Sequence, residues 1–161
     1  YTRDEFLRLV DKIRSYMPDV GLTTDIIVGF PGETEDQFQE TVSLMEQVRF
    51  DSAFMFKYSA RPHTKAIEFE DSVPDHVKQA RLQSIIKLQN DITLQNNRNL
   101  IGCTTKVLVE KDSKKSAHQW MGRTDDNRIV IFDKNGEAPR DLVTLRIDDA
   151  QGVSLFGTHL N

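Results

Sequence analysis

The residue types most suggestive of chemistry fall in one short run, Thr24-Asp25-Ile26-Ile27-Val28-Gly29-Phe30-Pro31-Gly32-Glu33. Asp25 stands at the mouth of an otherwise apolar stretch, where a surface charge is out of place unless something recruits it. A carboxylate on such a strand can accept two hydrogen bonds from a ribose diol, as acidic residues do in dinucleotide sites. Gly29 would let a ligand approach the backbone closely. Pro31-Gly32 suits the two central positions of a type II turn, since glycine accepts the positive φ required. No Gly-Lys-Ser/Thr follows, so the run is not a Walker phosphate loop. A strand, a turn and a helix with no ligand is the plainer alternative, and it stays open here.

A second group lies in the tail. Lys111, Lys114, Lys115, Arg123 and Arg128 are interleaved with Trp120 and Asn127. Loop cations can meet phosphates, and an exposed aromatic can stack on a base. Asp112, Asp125 and Asp126 sit among them, so a solvated loop and a Trp120 sunk in the core compete with that reading. Cys103 is the single cysteine of the chain. It excludes an internal disulfide framework and fits a reducing cytoplasm. It reads as a small buried or half-buried residue rather than a nucleophile.

The elements that must position these groups are legible from periodicity. Thr2 and Glu5 have capping-box spacing, and Phe6, Leu9, Val10, Ile13 and Met17 then share one helical face up to Pro18. The apolar run from Gly21 to Phe30 predicts a strand covered on both faces, as in a parallel sheet. Thr34 and Gln37 repeat the capping logic before a helix that buries Phe38, Val42, Met45 and Val48. Asp51 to Ser59 predicts a second strand with Phe54, Phe56 and Tyr58 on one face. After a loop from Ala60, Pro74 opens a long helix striped with Val77, Ile85, Leu88 and Ile92. These are βα units, too few to close a doubly covered sheet, so the segment reads as the last part of a parallel sheet or barrel. From Leu100 onward five short strand patterns follow with no helix between them, predicting a small antiparallel barrel. The expected domains are 1–99 and 100–161.

The 161 residues carry a formal net charge of −4. All of it lies before Leu100, with 12 Lys and Arg against 16 Asp and Glu, while the tail balances 9 against 9. A neutral tail predicts weak, salt-sensitive nucleic-acid binding on its own. No apolar run reaches the roughly 18 residues of a membrane helix. The start on a capping motif without an initiator Met suggests a piece of a longer protein.

The runs "TDIIVGFPGET", "FMFKYSARPHTKA" and "VPDHVKQARLQSIIKLQ", in that order, resemble the last two strands and closing helix of the radical S-adenosylmethionine methylthiotransferases. The tail, with "GRTDDNRIVIFD", resembles the TRAM domain of those enzymes, and the likeness covers essentially the whole chain. It implies an α/β fold: the C-terminal part of a parallel (βα) radical-SAM barrel followed by a small, OB-like antiparallel β-barrel. It implies that Asp25 contacts the S-adenosylmethionine ribose and that Ile27 packs on adenine. Gly29, Pro31 and Gly32 would shape the turn, with Tyr58, Ser59 and Arg61 facing the same mouth. Arg3 is a weaker candidate for the cofactor carboxylate. The tail would hold a tRNA anticodon stem-loop through Lys111, Lys114, Lys115, Trp120, Arg123, Asn127 and Arg128. The implied reaction is 2-methylthiolation of N6-isopentenyladenosine beside the anticodon, in the cytoplasm. "YSARP" and "GRTDDNR" favour that branch over the sister enzymes acting on threonylcarbamoyl-adenosine tRNA or a ribosomal protein.

Two departures matter. The family's Arg-Pro-Gly-Thr reads Arg61-Pro62-His63-Thr64 here, which is costly if the third position needs positive φ. The cysteine triplet that holds a [4Fe–4S] cluster is absent from the sequence, and radical chemistry needs such thiolates. The chain by itself is therefore expected to be inactive, with no metal site, and its raw barrel flank could pair with a second copy. A non-catalytic RNA-binding adaptor is the remaining alternative.

Overall fold

The computed structural model describes residues 2–70 and 73–160. Tyr1, Asp71, Ser72 and Asn161 lie outside the described residues, so the expected loop from Ala60 to Pro74 is described except at Asp71 and Ser72. In order come α1 (Arg3–Tyr16), β1 (Thr23–Val28), α2 (Glu35–Val48), β2 (Ser52–Lys57), a 3₁₀ turn (Lys65–Glu68) and α3 (Asp75–Arg98). Five strands follow: β3 (Thr104–Ser113), β4 (Ser116–Arg123), β5 (Ile129–Asp133), β6 (Leu142–Gln151) and β7 (Ser154–His159). The chain divides into two compact units, the first ending at Ile92 and the second beginning at Thr93. Among the described residues no helix is long and apolar enough to cross a membrane.

Both capping boxes form. The Thr2 and Thr34 hydroxyls accept the backbone N–H groups of Glu5 and Gln37, whose side chains accept the cap N–H groups in return. Each box satisfies two donors that a helix start leaves orphaned.

In the first unit β1 and β2 pair in parallel, with Asp25 opposite Phe54 and Ile27 opposite Phe56. The expectation that β1 is covered on both faces is not met. One face, bearing Ile26, Val28 and Met55, packs on Phe38 and Met45 of α2 and on Ile85 of α3. The opposite face carries Asp25, Ile27, Phe54 and Phe56, the last three 55%, 66% and 53% exposed. An apolar strand pattern states that both faces are hydrophobic; it does not state that the cover is within reach of the same segment. A second cluster joins Val10 of α1 to Val48 and Phe50, with Phe6 and Leu44 against it. Leu9 and Met17, placed on the same stripe by periodicity, are half exposed instead.

The second unit is a closed barrel in the order β3-β4-β5-β7-β6. Its core is Val107, Val109, Val130, Phe132, Leu145, Ile147, Ala150 and Leu155. Four of its five pairings are antiparallel, as the closely spaced strands predict; β5 and β7 pair in parallel. Closure without free edges is what protects a small barrel from edge-to-edge association.

Candidate functional site

The turn after β1 is built as its residues predict. Glu33 donates its backbone N–H to the Phe30 carbonyl at 2.8 Å, and Gly32 has φ +83°, the positive value a type II turn requires. Gly29 also has positive φ, but its missing side chain serves a neighbour within the protein: a Cβ there would collide with Lys78 Cγ. Lys78 is buried, and its ammonium lies 5.2 Å from the Tyr58 ring centroid. The Tyr58 hydroxyl donates to the Ala66 carbonyl at 3.0 Å, and the ring meets Phe30 edge-on.

Sequence inspection misses the network that fastens this turn. Glu33 Oε2 accepts from the Gly29 N–H at 2.6 Å and from Arg81 Nη1 at 2.7 Å. Arg81 also donates to the Glu33 carbonyl and to Glu35, with its guanidinium over the Phe38 ring. Arg81 and Glu33 are nearly buried, and a buried guanidinium–carboxylate pair with several hydrogen bonds is costly to break. The signal was a lone Arg on the apolar side of α3, which periodicity alone assigns to no partner. The Gln39 amide and the Arg81 guanidinium hold the Glu35 carboxyl below its usual value. The Lys57 ammonium does the same for Asp75, at 2.8 Å.

At the open edge of β1 and β2 lies a cavity of about 550 Å³. Asp25, Ile27, Phe56, Tyr58, Ser59 and Arg61 line it. A second hollow of about 310 Å³ is bordered by Asp25 and Ile27 from the sheet and by Arg3 from α1. The two cavities share Asp25 and Ile27, and the Asp25 carboxylate has no hydrogen-bond or ion-pair partner among the described residues. Arg3 is held by Ser43 Oγ at 2.9 Å and by Gln47 on α2. Asp25, Ile27 and Tyr58 are thus brought together, Arg3 joins Asp25 and Ile27 on the other side, and Gly29 lies behind, against Lys78.

On the barrel, Lys111, Lys114, Lys115 and Arg123 border a groove of about 340 Å³ on the outer face of β3, β4, β5 and β7. Strand alternation would turn Lys111 inward with Val107 and Val109. A bulge between Val109 and Lys111 re-aims it outward, opposite Met121. The groove floor is Met121, Ile129, Ile131 and Phe156, none of them singled out from sequence; the available signal was that "IVIFD" is apolar on both faces of its strand.

Trp120, Asn127 and Arg128 stand apart from this groove. Trp120 packs on the barrel core, with the Lys134 ammonium 4.1 Å from its ring centroid. Asn127 adopts φ +67° in the β4–β5 turn and accepts the Arg123 guanidinium at 2.9 Å. Arg128 is engaged by Asp126 and, at 2.7 Å, by the buried Asn97. Among the described residues no group of three or more His, Cys, Asp or Glu side chains is placed to hold a metal ion.

Comparison with known proteins first gives a class for the barrel: residues 98–160 match the family model of the TRAM domain. The whole chain is similar to tRNA-2-methylthio-N(6)-dimethylallyladenosine synthases. The Porphyromonas gingivalis enzyme is 48% identical over 158 residues, which are 98% of this chain and 34% of that relative. The Methylacidiphilum infernorum enzyme is 44% identical over 160 residues, 99% of this chain and 34% of the relative. The Chlorobaculum tepidum enzyme is 48% identical over 158 residues, 98% and 36% respectively. This chain is homologous to the C-terminal region, with its TRAM domain, of these tRNA methylthiotransferases, and it spans about a third of their length.

Proposed function

We propose that this chain forms one wall of the S-adenosylmethionine cavity of a cytoplasmic radical methylthiotransferase and carries the domain that holds its tRNA. The observation behind this reading is the Asp25 carboxylate, without a partner among the described residues, on the wall of an apolar cavity beside Ile27 and Tyr58. That donor set fits an adenosyl group: a carboxylate for the ribose diol and an aliphatic surface for the adenine face. S-adenosylmethionine supplies the radical and methyl chemistry of the reaction when bound. The part of this chain is to bind and orient it, with Asp25 accepting the ribose hydroxyls and Ile27 packing on the base. Arg3, held by Ser43 and Gln47 on α2 and lining the second hollow, would face the amino-acid end. One cysteine, Cys103, cannot hold an iron–sulfur cluster, so in this reading the thiolates that hold it belong to the remainder of the whole enzyme. The substrate in this reading is N6-isopentenyladenosine beside the anticodon, with the stem-loop held by the lysine-bordered barrel face.

In the whole enzyme, Asp25→Asn should raise the S-adenosylmethionine concentration needed for half-maximal activity about tenfold or more, the worth of a charge-assisted hydrogen bond. The cluster absorption should not change; its loss would make Asp25 a structural residue. For the substrate, tRNA from cells lacking the gene should lose its 2-methylthio-isopentenyladenosine. Unchanged tRNA would redirect the assignment to a sister enzyme.

A further inference from the structure

Resting on the RNA reading above, we infer that the groove on the outer face of the barrel takes one unpaired nucleotide, its base on the apolar floor and its flanking phosphates at the β3–β4 lysines. The pairing of strands lays out a single row across four of them: Lys111 opposite Met121, Met121 opposite Ile131, Ile131 opposite Phe156. One end of the row is a cation and the remainder is apolar. The next row places Arg123 opposite Ile129 and Ile129 opposite Ser154.

A surface that held only a duplex backbone would need cations and hydroxyls, because an A-form helix presents phosphates and 2′-hydroxyls while its base faces are stacked inside. Four apolar side chains in a hollow of about 340 Å³ match the one part of RNA that is flat and apolar, the face of an unstacked base. The charges agree. Glu110 is paired with Arg123, and Asp112 with Lys134 at 2.6 Å. Lys111, Lys114 and Lys115 make no ion pair among the described residues, so their ammonium groups are available to phosphates. Two polar groups border the floor and can address a base edge. The Gln119 carbonyl remains available after its amide donates to Asp133 at 3.0 Å, and the other is the Ser154 hydroxyl.

The test titrates the 161-residue chain with a single-stranded oligoribonucleotide of about seven nucleotides carrying a central 2-aminopurine. The same strand annealed to its complement is titrated in parallel, each at low and moderate salt. The single strand should bind about tenfold tighter than the duplex, with a change in 2-aminopurine fluorescence. Phe156→Ala and the more conservative Phe156→Leu should each weaken the single strand about tenfold and leave the duplex unchanged, since base–aromatic stacking carries the difference. Lys114→Ala combined with Lys115→Ala should flatten the salt dependence for both probes. Equal affinity for the two probes, with Phe156→Leu binding like the parent, overturns the nucleotide groove and leaves the RNA reading standing. No binding of either probe at low salt, with the circular dichroism of a folded chain, overturns the RNA reading and this inference together. If Phe156→Ala fails to fold, Phe156→Leu alone decides.

Discussion

At the scale of single residues, the local backbone explains most. His63 sits at φ +65°, the left-handed region that a Cβ disfavours by about 1–2 kcal/mol. The departure from glycine in Arg61-Pro62-His63-Thr64 is therefore a real cost carried by the loop after β2. His63→Gly should stabilise the chain by about 0.5–1 kcal/mol, part of the relief being offset by the greater freedom of glycine in the unfolded state. Thermal unfolding followed by circular dichroism reads this directly; an unchanged or lower midpoint would mean that the imidazole makes a compensating contact. Arg128 teaches the opposite lesson. Its charge invites a phosphate in the sequence, but its guanidinium is committed to Asp126 and Asn97, and a cation already bound within the fold gives little to RNA.

At the scale of elements, Arg81 joins α3 to the turn that follows β1. Removing it leaves Glu33 nearly buried, its carboxylate satisfied among the described residues only by the Gly29 N–H. Arg81→Met should cost about 3 kcal/mol in urea unfolding, and adding Glu33→Gln should recover part of it, because the cost is mainly the stranded charge. Acid should loosen the same unit. The carboxyls of Glu35 and Asp75 are both held low in the folded chain, the first by Gln39 and Arg81, the second by Lys57. A lowered folded value means that the unfolded chain binds more protons near pH 4. The stabilisation is then complete above the ordinary carboxylate range and disappears as pH falls through the lowered values. The urea midpoint should be flat from about pH 8 to 5 and decline below about pH 4, less steeply in Asp75→Asn. A decline already present at pH 6 would implicate histidines instead.

At the scale of the whole molecule, two units each hold their own core, and the first leaves one face of its sheet uncovered. Phe54 is two-thirds exposed on that face, so Phe54→Ser should change stability by less than about 0.5 kcal/mol. It should also lower the fluorescence of a hydrophobic dye bound to the chain, since contiguous exposed apolar surface is what such dyes report. A large loss of stability would show that the face is covered in solution. The uncovered face and the cavity at its edge have a common origin: side chains that are apolar on both sides of β1 and β2 meet helices on one side only.

Much of this was legible in the residues alone. Thr2 with Glu5, Thr34 with Gln37, Pro31 with Gly32 and the five short strands of the tail are specified by neighbours a few positions apart, through hydrogen bonds and steric preferences that no distant contact needs to supply. What tertiary structure alone decided was partnership. A bulge at Val109–Lys111 turns a lysine from core to surface, Met121, Ile131 and Phe156 fall in one row only when three strands align, and Arg81 finds Glu33 from 48 residues away. Periodicity tells which face of an element is apolar. Which segment meets that face is fixed by long-range packing, whose free energy is gained only when the chain has closed on itself.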